Sequence, residues 1–151
     1  MTFESAPLEG STGHEAGRRL LKNLCGEHEI AVTERGKPYF KDGFAQFSVS
    51  HTKSRVFCVV SDCPVGIDAE ELHRDIDLRL AEKILSSAEK KLFDAAADKR
   101  LTLLKFWVLK EAYYKATGEG LRGYPNKTDF SPDDPRVFIH EGHIVAIIEM
   151  R

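Results

Sequence analysis

Cysteine is scarce in this sequence. Cys25, Cys58 and Cys63 are three in 151 residues, and no two form a Cys-x-x-Cys pair. An odd count at such spacings indicates neither a disulfide framework nor a zinc site. Cys58 lies inside the apolar run VFCVV and reads as a small core residue. Long hydrophobic runs are missing as well. None approaches the roughly 20 residues that span a bilayer, and the opening MTFESAPLEGSTGHEAG has no apolar centre of the secretory type. Excess charge of either sign is absent: 22 Lys and Arg against 24 Asp and Glu leave a net charge of −2. That balance argues against a nucleic-acid partner and against a basic membrane-binding tail. A cytoplasmic protein without membrane association is expected. Low-complexity segments and short-period repeats are absent too.

What is present describes an ordinary globular chain, 42% hydrophobic and 30% charged, long enough for one domain with a real core. The first dozen residues are polar and rich in Gly and Ser. They read as a flexible lead-in (residues 1–12), which leaves a single domain over residues 13–151. HEAGRRLLKNLCGEH predicts a helix with Ala16, Leu20, Leu21 and Leu24 on one side and Gly26 as its stop. EIAVT predicts a short strand; after the turn residues of ERGKP, the chain is extended from Pro38. FAQFSVS alternates, RVFCVVS is a stronger strand, and VGIDAE is a strand with an acidic end. DLRLAEKIL predicts a helix, and Ser86 with Glu89 has capping-box spacing for another. A longer helix is predicted from Lys105 to Thr117, ending at Gly118. RVFIH and HIVAIIE, joined by Glu141-Gly142, read as a hairpin. Two similar passages of strands and helices give an α+β class with halves at about 13–70 and 71–151, neither large enough to bury a core alone.

Four polar clusters interrupt this pattern. In FWVLKEAYYKATGEG, Leu104, Trp107, Val108, Glu111 and Lys115 share one helical stripe, so an acid and a base extend an apolar face. Glu111 and Lys115 equally fit an exposed i,i+4 pair, worth about 0.2–0.5 kcal/mol and nothing more. GKPYF holds Lys37 between Gly36 and Pro38, which makes either a plain turn or a deliberately placed cation. FSVSHTKSR ends a strand with Ser50, His51, Thr52 and Lys53, donors that suit an anion or a solvated strand end. VGIDAEE puts Asp68 and Glu70 on one strand face, where two carboxylates repel unless they are solvated or bridged by a cation. Asp68, Glu70 and Glu111 together would make an all-oxygen set of the kind magnesium prefers. With Lys37, His51 and Lys115 as positive groups around phosphates, the combination points to chemistry at phosphorus.

In order and spacing these segments resemble the motifs of the 4′-phosphopantetheinyl transferases. Gly-Lys-Pro is filled by Gly36 to Pro38, Phe-x-x-Ser-His by Phe47 to His51, and Gly-(Ile/Val)-Asp-x-Glu by Gly66 to Glu70. Trp-x-x-Lys-Glu-(Ala/Ser)-x-x-Lys is filled by Trp107 to Lys115. The likeness runs from about Ala16 to Gly123, and more loosely through the final hairpin. The serine–histidine segment precedes the Gly-Ile-Asp segment, which is the order of the surfactin-synthetase-activating type with its two pseudo-symmetric halves. Against that type the sequence is short, and the N-terminal half is expected to be the reduced one.

The resemblance implies transfer of 4′-phosphopantetheine from coenzyme A to a serine of an apo acyl or peptidyl carrier protein, with release of 3′,5′-ADP. It implies Asp68, Glu70 and Glu111 as ligands of magnesium, for which manganese could substitute. Asp68, Glu111 and Lys115 would be catalytic, with Glu111 assisting removal of the serine proton and Lys115 stabilising the leaving phosphate. Lys37, Pro38, Ser50, His51, Lys110 and Lys115 would hold coenzyme A, with His51 at the 3′-phosphate. Arg18 and Arg19 on the first helix are the candidates for its remaining basic contacts. A shortened relative that docks coenzyme A or a carrier without turnover is the alternative.

Overall fold

Among the described residues, six strands form two antiparallel three-stranded sheets that share one core, each with a helix on its outer face. The computed structural model describes residues 1–119 and 128–151. In chain order the elements are β1 (Thr2–Pro7), α1 (Gly13–Cys25), β2 (Ile30–Val32), β3 (Pro38–Phe40), β4 (Gln46–His51), β5 (Arg55–Ser61) and β6 (Val65–Glu71). A 3-10 turn (Leu78–Leu80) leads to α2 (Ala81–Ile84), α3 (Ser87–Ala95), α4 (Lys99–Thr117), β7 (Val137–His140) and β8 (His143–Glu149). The first sheet has the order β1-β5-β4 and the second β6-β8-β7, with β2 and β3 as a separate pair. No helix among the described residues is long and apolar enough to cross a membrane.

Strand alternation decides which side chains meet which layer. Phe57 and Val59 of β5 join Val65, Ile67 and Ala69 of β6 and Val145 and Ile147 of β8 in the shared core. The opposite face of the first sheet packs Phe47 and Cys58 under Leu21 of α1. The opposite face of the second packs Ile144, Ala146 and Ile148 under α4.

Local signals account for several element ends. Thr12 and Glu15 form a capping box at α1, and Gly26 ends that helix at φ 79°. Ser86 and Glu89 make both bonds of the box that their spacing predicts. Glu141 (φ 49°) and Gly142 (φ 70°) both occupy the left-handed region that a tight β7–β8 hairpin turn requires.

Two expectations are corrected here. Residues 1–12 are not a free lead-in, because Thr2–Pro7 pairs with β5 along its whole length. Phe3 anchors it, stacking on Phe57 (6.5 Å between ring centres) and meeting Phe138 edge-on (5.5 Å). The domain therefore includes this strand. The long helix starts at Lys99 rather than Lys105, where Asp98 caps it by accepting from Leu101 N–H at 3.0 Å.

The feature that positions the site is the seam between β4 and β6. These strands belong to different sheets, and side chains take the place of a backbone ladder between them. Ile67 N–H donates to Ser48 Oγ (3.1 Å) and Ala69 N–H to Ser50 Oγ (3.2 Å). On the same strand, Ile67 O accepts from Lys115 Nζ (2.9 Å) and Val65 O from Lys37 Nζ (3.4 Å). Polar backbone groups at a buried strand edge need such partners.

Candidate active site

Gly66 sets the approach of α4 to β6. A Cβ at this position would lie 1.9 Å from Ala112 O and 2.5 Å from Ala116 N, so the helix rests on bare strand backbone. Asp68 and Glu70 follow on the same strand face and meet the flank of α4 that carries Glu111 and Lys115. Lys115 does not pair with Glu111. Its Nζ turns to β6, 3.1 Å from Asp68 Oδ1 and 2.9 Å from Ile67 O.

Asp68 is buried. Its Oδ1 takes Lys115 and, at 3.4 Å, the hydroxyl of Ser50, whereas its Oδ2 is buried with no hydrogen-bond partner among the described residues. Burial pushes the carboxyl up to about 6, even against the lowering effect of Lys115. Glu111 is half-buried, and burial followed by the charge of Asp68 pushes it up to about 7. Two carboxyls raised side by side mark excess negative charge in a desolvated place.

A cavity of about 300 Å³ opens beside this pair, lined by Arg35, Pro38, Phe47 and Val49 on one side and by Glu111, Tyr114 and Lys115 of α4 on the other. A smaller cavity of about 160 Å³ adjoins Pro38 and is lined by His14, Arg18 and His51. His51 is exposed, and its ring covers Gly13 so closely that a Cβ there would sit 2.2 Å from it. Arg18 brings a buried Nη1 that has no hydrogen-bond partner among the described residues.

Several residues stand elsewhere than the sequence suggests. Lys37 lines the larger cavity, but its ammonium is engaged by backbone carbonyls of α4 and β6. The hydroxyl of Ser50 bonds Ala69 N–H and Asp68, which makes it part of the seam. Lys110 points away from both cavities: its Nζ is buried 2.7 Å from Glu89 and over the ring of Phe130. Arg19 is exposed and bonds Ser11 Oγ at 2.8 Å. Sequence reading missed Ser48, although it alternates with Ser50 on β4. It also missed Arg35, two residues before Lys37, and Tyr114, which precedes Lys115 and lines the same cavity.

As donors for a divalent cation the three acids are not equivalent. Asp68 and Glu111 fit, as hard oxygen donors with raised pKa values and one buried carboxylate oxygen left unpartnered. Glu70 is drawn aside by Arg74 (2.7 Å) and by Trp107 Nε1 (3.2 Å). The metal-ligating groups that do lie within 4.8 Å of one another among the described residues are Asp62, Cys63 and Glu149. There Arg151 already pairs with both Asp62 (3.0 Å) and Glu149 (3.3 Å).

The chain that carries this site, in which a glycine-seated helix presents an acid and a lysine to a buried strand carboxylate, is similar to known proteins. A profile of the 4′-phosphopantetheinyl transferase superfamily matches residues 64–144, from the turn before β6 into β8. The chain belongs to that superfamily. It is 33% identical over 122 residues to 4′-phosphopantetheinyl transferase HetI of Nostoc sp., covering 70% of this chain and 52% of the relative. It is 39% identical over 99 residues to 4′-phosphopantetheinyl transferase psf-1 of Bacillus pumilus, covering 63% of this chain and 42% of the relative. A crystal structure of Thermotoga maritima holo-acyl-carrier-protein synthase overlaps 56% of this chain and 61% of its own, with a TM-score of 0.47 and 28% identity. The chain spans about half, or less, of the length of these curated relatives.

Proposed function

We propose that this chain transfers 4′-phosphopantetheine from coenzyme A to a serine of an acyl or peptidyl carrier protein, releasing 3′,5′-ADP in the cytoplasm. The observation that carries the reading is Asp68, a buried carboxylate with one oxygen paired to Lys115, the other unpartnered, and Glu111 alongside. Asp68 and Glu111 would hold magnesium, or manganese in its place, and Glu70 would complete the set by leaving Arg74. When bound, the ion supplies charge neutralisation at the pyrophosphate. Glu111, with its carboxyl near neutrality and facing the larger cavity, is suited to accept the serine proton. Lys115 lines that cavity with its ammonium held beside Asp68, and is suited to the charge that grows on the leaving phosphate. Pro38 and the apolar wall of Phe47 and Val49 fit the nucleotide. His51 and Arg18 in the adjoining cavity fit its 3′-phosphate.

The test is to incubate the purified chain with coenzyme A, magnesium and a panel of apo acyl and peptidyl carriers, following 3′,5′-ADP release. Release that requires both carrier and divalent cation is expected. Coenzyme A binding without 3′,5′-ADP release in the presence of any carrier would replace this reading with that of a non-catalytic docking module.

A further inference from the structure

Lys37 leaves the turn between β2 and β3 and reaches the end of α4. Its Nζ lies 2.5 Å from Lys115 O, 3.1 Å from Ala116 O and 3.4 Å from Val65 O of β6. The last carbonyls of an α-helix have no partner within the helix, and they carry its partial negative charge. In α4, Tyr114 O is met by Gly118 N–H (2.9 Å) and by the Thr117 hydroxyl (3.2 Å). The next two carbonyls, Lys115 O and Ala116 O, both fall to Lys37. An ammonium has three hydrogens, and here three carbonyls meet them. The described residues show no carboxylate paired with this lysine, and burial alone pulls its pKa below the ordinary value. The carbonyl dipoles are what hold the charge in place. Gly118, in the left-handed conformation at φ 75°, lets the chain turn away while the lysine stem passes beneath it, 3.5 Å from where a Cβ would be.

We propose that Lys37 is a positioning residue, a cation that caps α4 from another part of the chain and ties it to β6, fixing where Lys115 and Glu111 stand against Asp68. One of the clamped carbonyls belongs to Lys115 itself, so the backbone that carries this side chain is held on both sides. Its ammonium is pinned by Asp68 and Ile67 O, and its carbonyl by Lys37. The part of this inference that concerns rate rests on the proposed transferase reading. The part that concerns the helix end does not.

Lys37→Met and Lys37→Gln in the full chain test both parts. Without any ligand, amide hydrogen exchange at residues 115–119 should accelerate by about tenfold or more, while that of β5 stays as in the unmodified chain. In the transfer assay, kcat should fall on the order of 10–100-fold with KM for coenzyme A changing by less than about threefold, as expected for displaced catalytic groups. Lys37→Arg, which restores a cation, should recover part of both. If Lys37→Met does not fold, Lys37→Gln, which keeps two N–H donors, carries the measurement. Unchanged exchange at 115–119, or equal acceleration throughout the chain, overturns the proposal. So does a raised KM with kcat intact, which would assign the ammonium to a ligand. Should the unmodified chain show no transferase activity, the exchange measurement still decides the role at the helix end.

Discussion

Replacing Glu111 by Gln should stabilise the ligand-free protein, and only at high pH. Glu111 is half-buried, its carboxyl rises from 4.5 to about 7, and burial and the nearby Asp68 are the largest causes. A carboxyl whose folded pKa is raised contributes its full stability below the unfolded value and loses it as pH rises through the folded one. The wild-type chain should therefore lose this contribution between about pH 4.5 and 8, and the Gln variant should not. Counted in full, the shift would be worth roughly 3 kcal/mol at about 1.4 kcal/mol per pH unit. Partial exposure screens this to about 1–2 kcal/mol. For a chain of this size that corresponds to about 3–6 °C in Tm at pH 8, with the two proteins melting together near pH 5. Thermal melts in chelator across that range measure it directly. Equal melting at pH 8, or a variant less stable there, would show that Glu111 is not held against its charge and would remove the basis for its role as a base.

Lys115→Met should cost about 3 kcal/mol above pH 6, because it strands the buried Asp68 carboxylate, and the loss should shrink near pH 5 as that group takes a proton. A loss of only a few tenths, seen by denaturant titration at pH 8, would return Lys115 to the exposed helix surface. Gly66→Ala should destabilise by about 3 kcal/mol or more, since the new methyl meets α4 backbone that cannot rotate away; a near-normal melt would contradict the seating of the helix on β6. His51→Ala should weaken coenzyme A binding by about tenfold and dephospho-coenzyme A binding by much less, a difference that calorimetry resolves. Equal losses would place His51 away from the 3′-phosphate.

The parts of this fold that are legible in sequence are those written in local terms. Ser86 and Glu89 announce a helix start, Gly26 and Gly118 announce stops, and Glu141-Gly142 announces a tight turn. The alternation of Gly66, Asp68 and Glu70 places two acids on one face by strand periodicity alone. β1 is not legible because its six residues have little pattern of their own, and the strand exists only through pairing with β5 and the stacking of Phe3. The destinations of the lysines are not legible either. Lys37, Lys110 and Lys115 all sit at motif positions, yet one caps a helix, one pairs with Glu89 in the core and one reaches Asp68. A long flexible stem makes each outcome compatible with the same sequence spacing, and only the packed neighbours choose among them. Ser50 shows the same limit: a hydroxyl at a strand end suits an anion as well as the edge of a neighbouring strand, and here the strand takes it.

The measurement closest to the central claim is the intact mass of an apo carrier protein after incubation with this chain, coenzyme A and magnesium, run in parallel with Asp68→Asn. The account predicts that the carrier gains one phosphopantetheine with the unmodified chain, and none with the variant although it keeps a native circular dichroism spectrum. A carrier modified equally by both proteins would contradict the site assigned to Asp68, and carriers left unmodified by either would contradict the transferase itself.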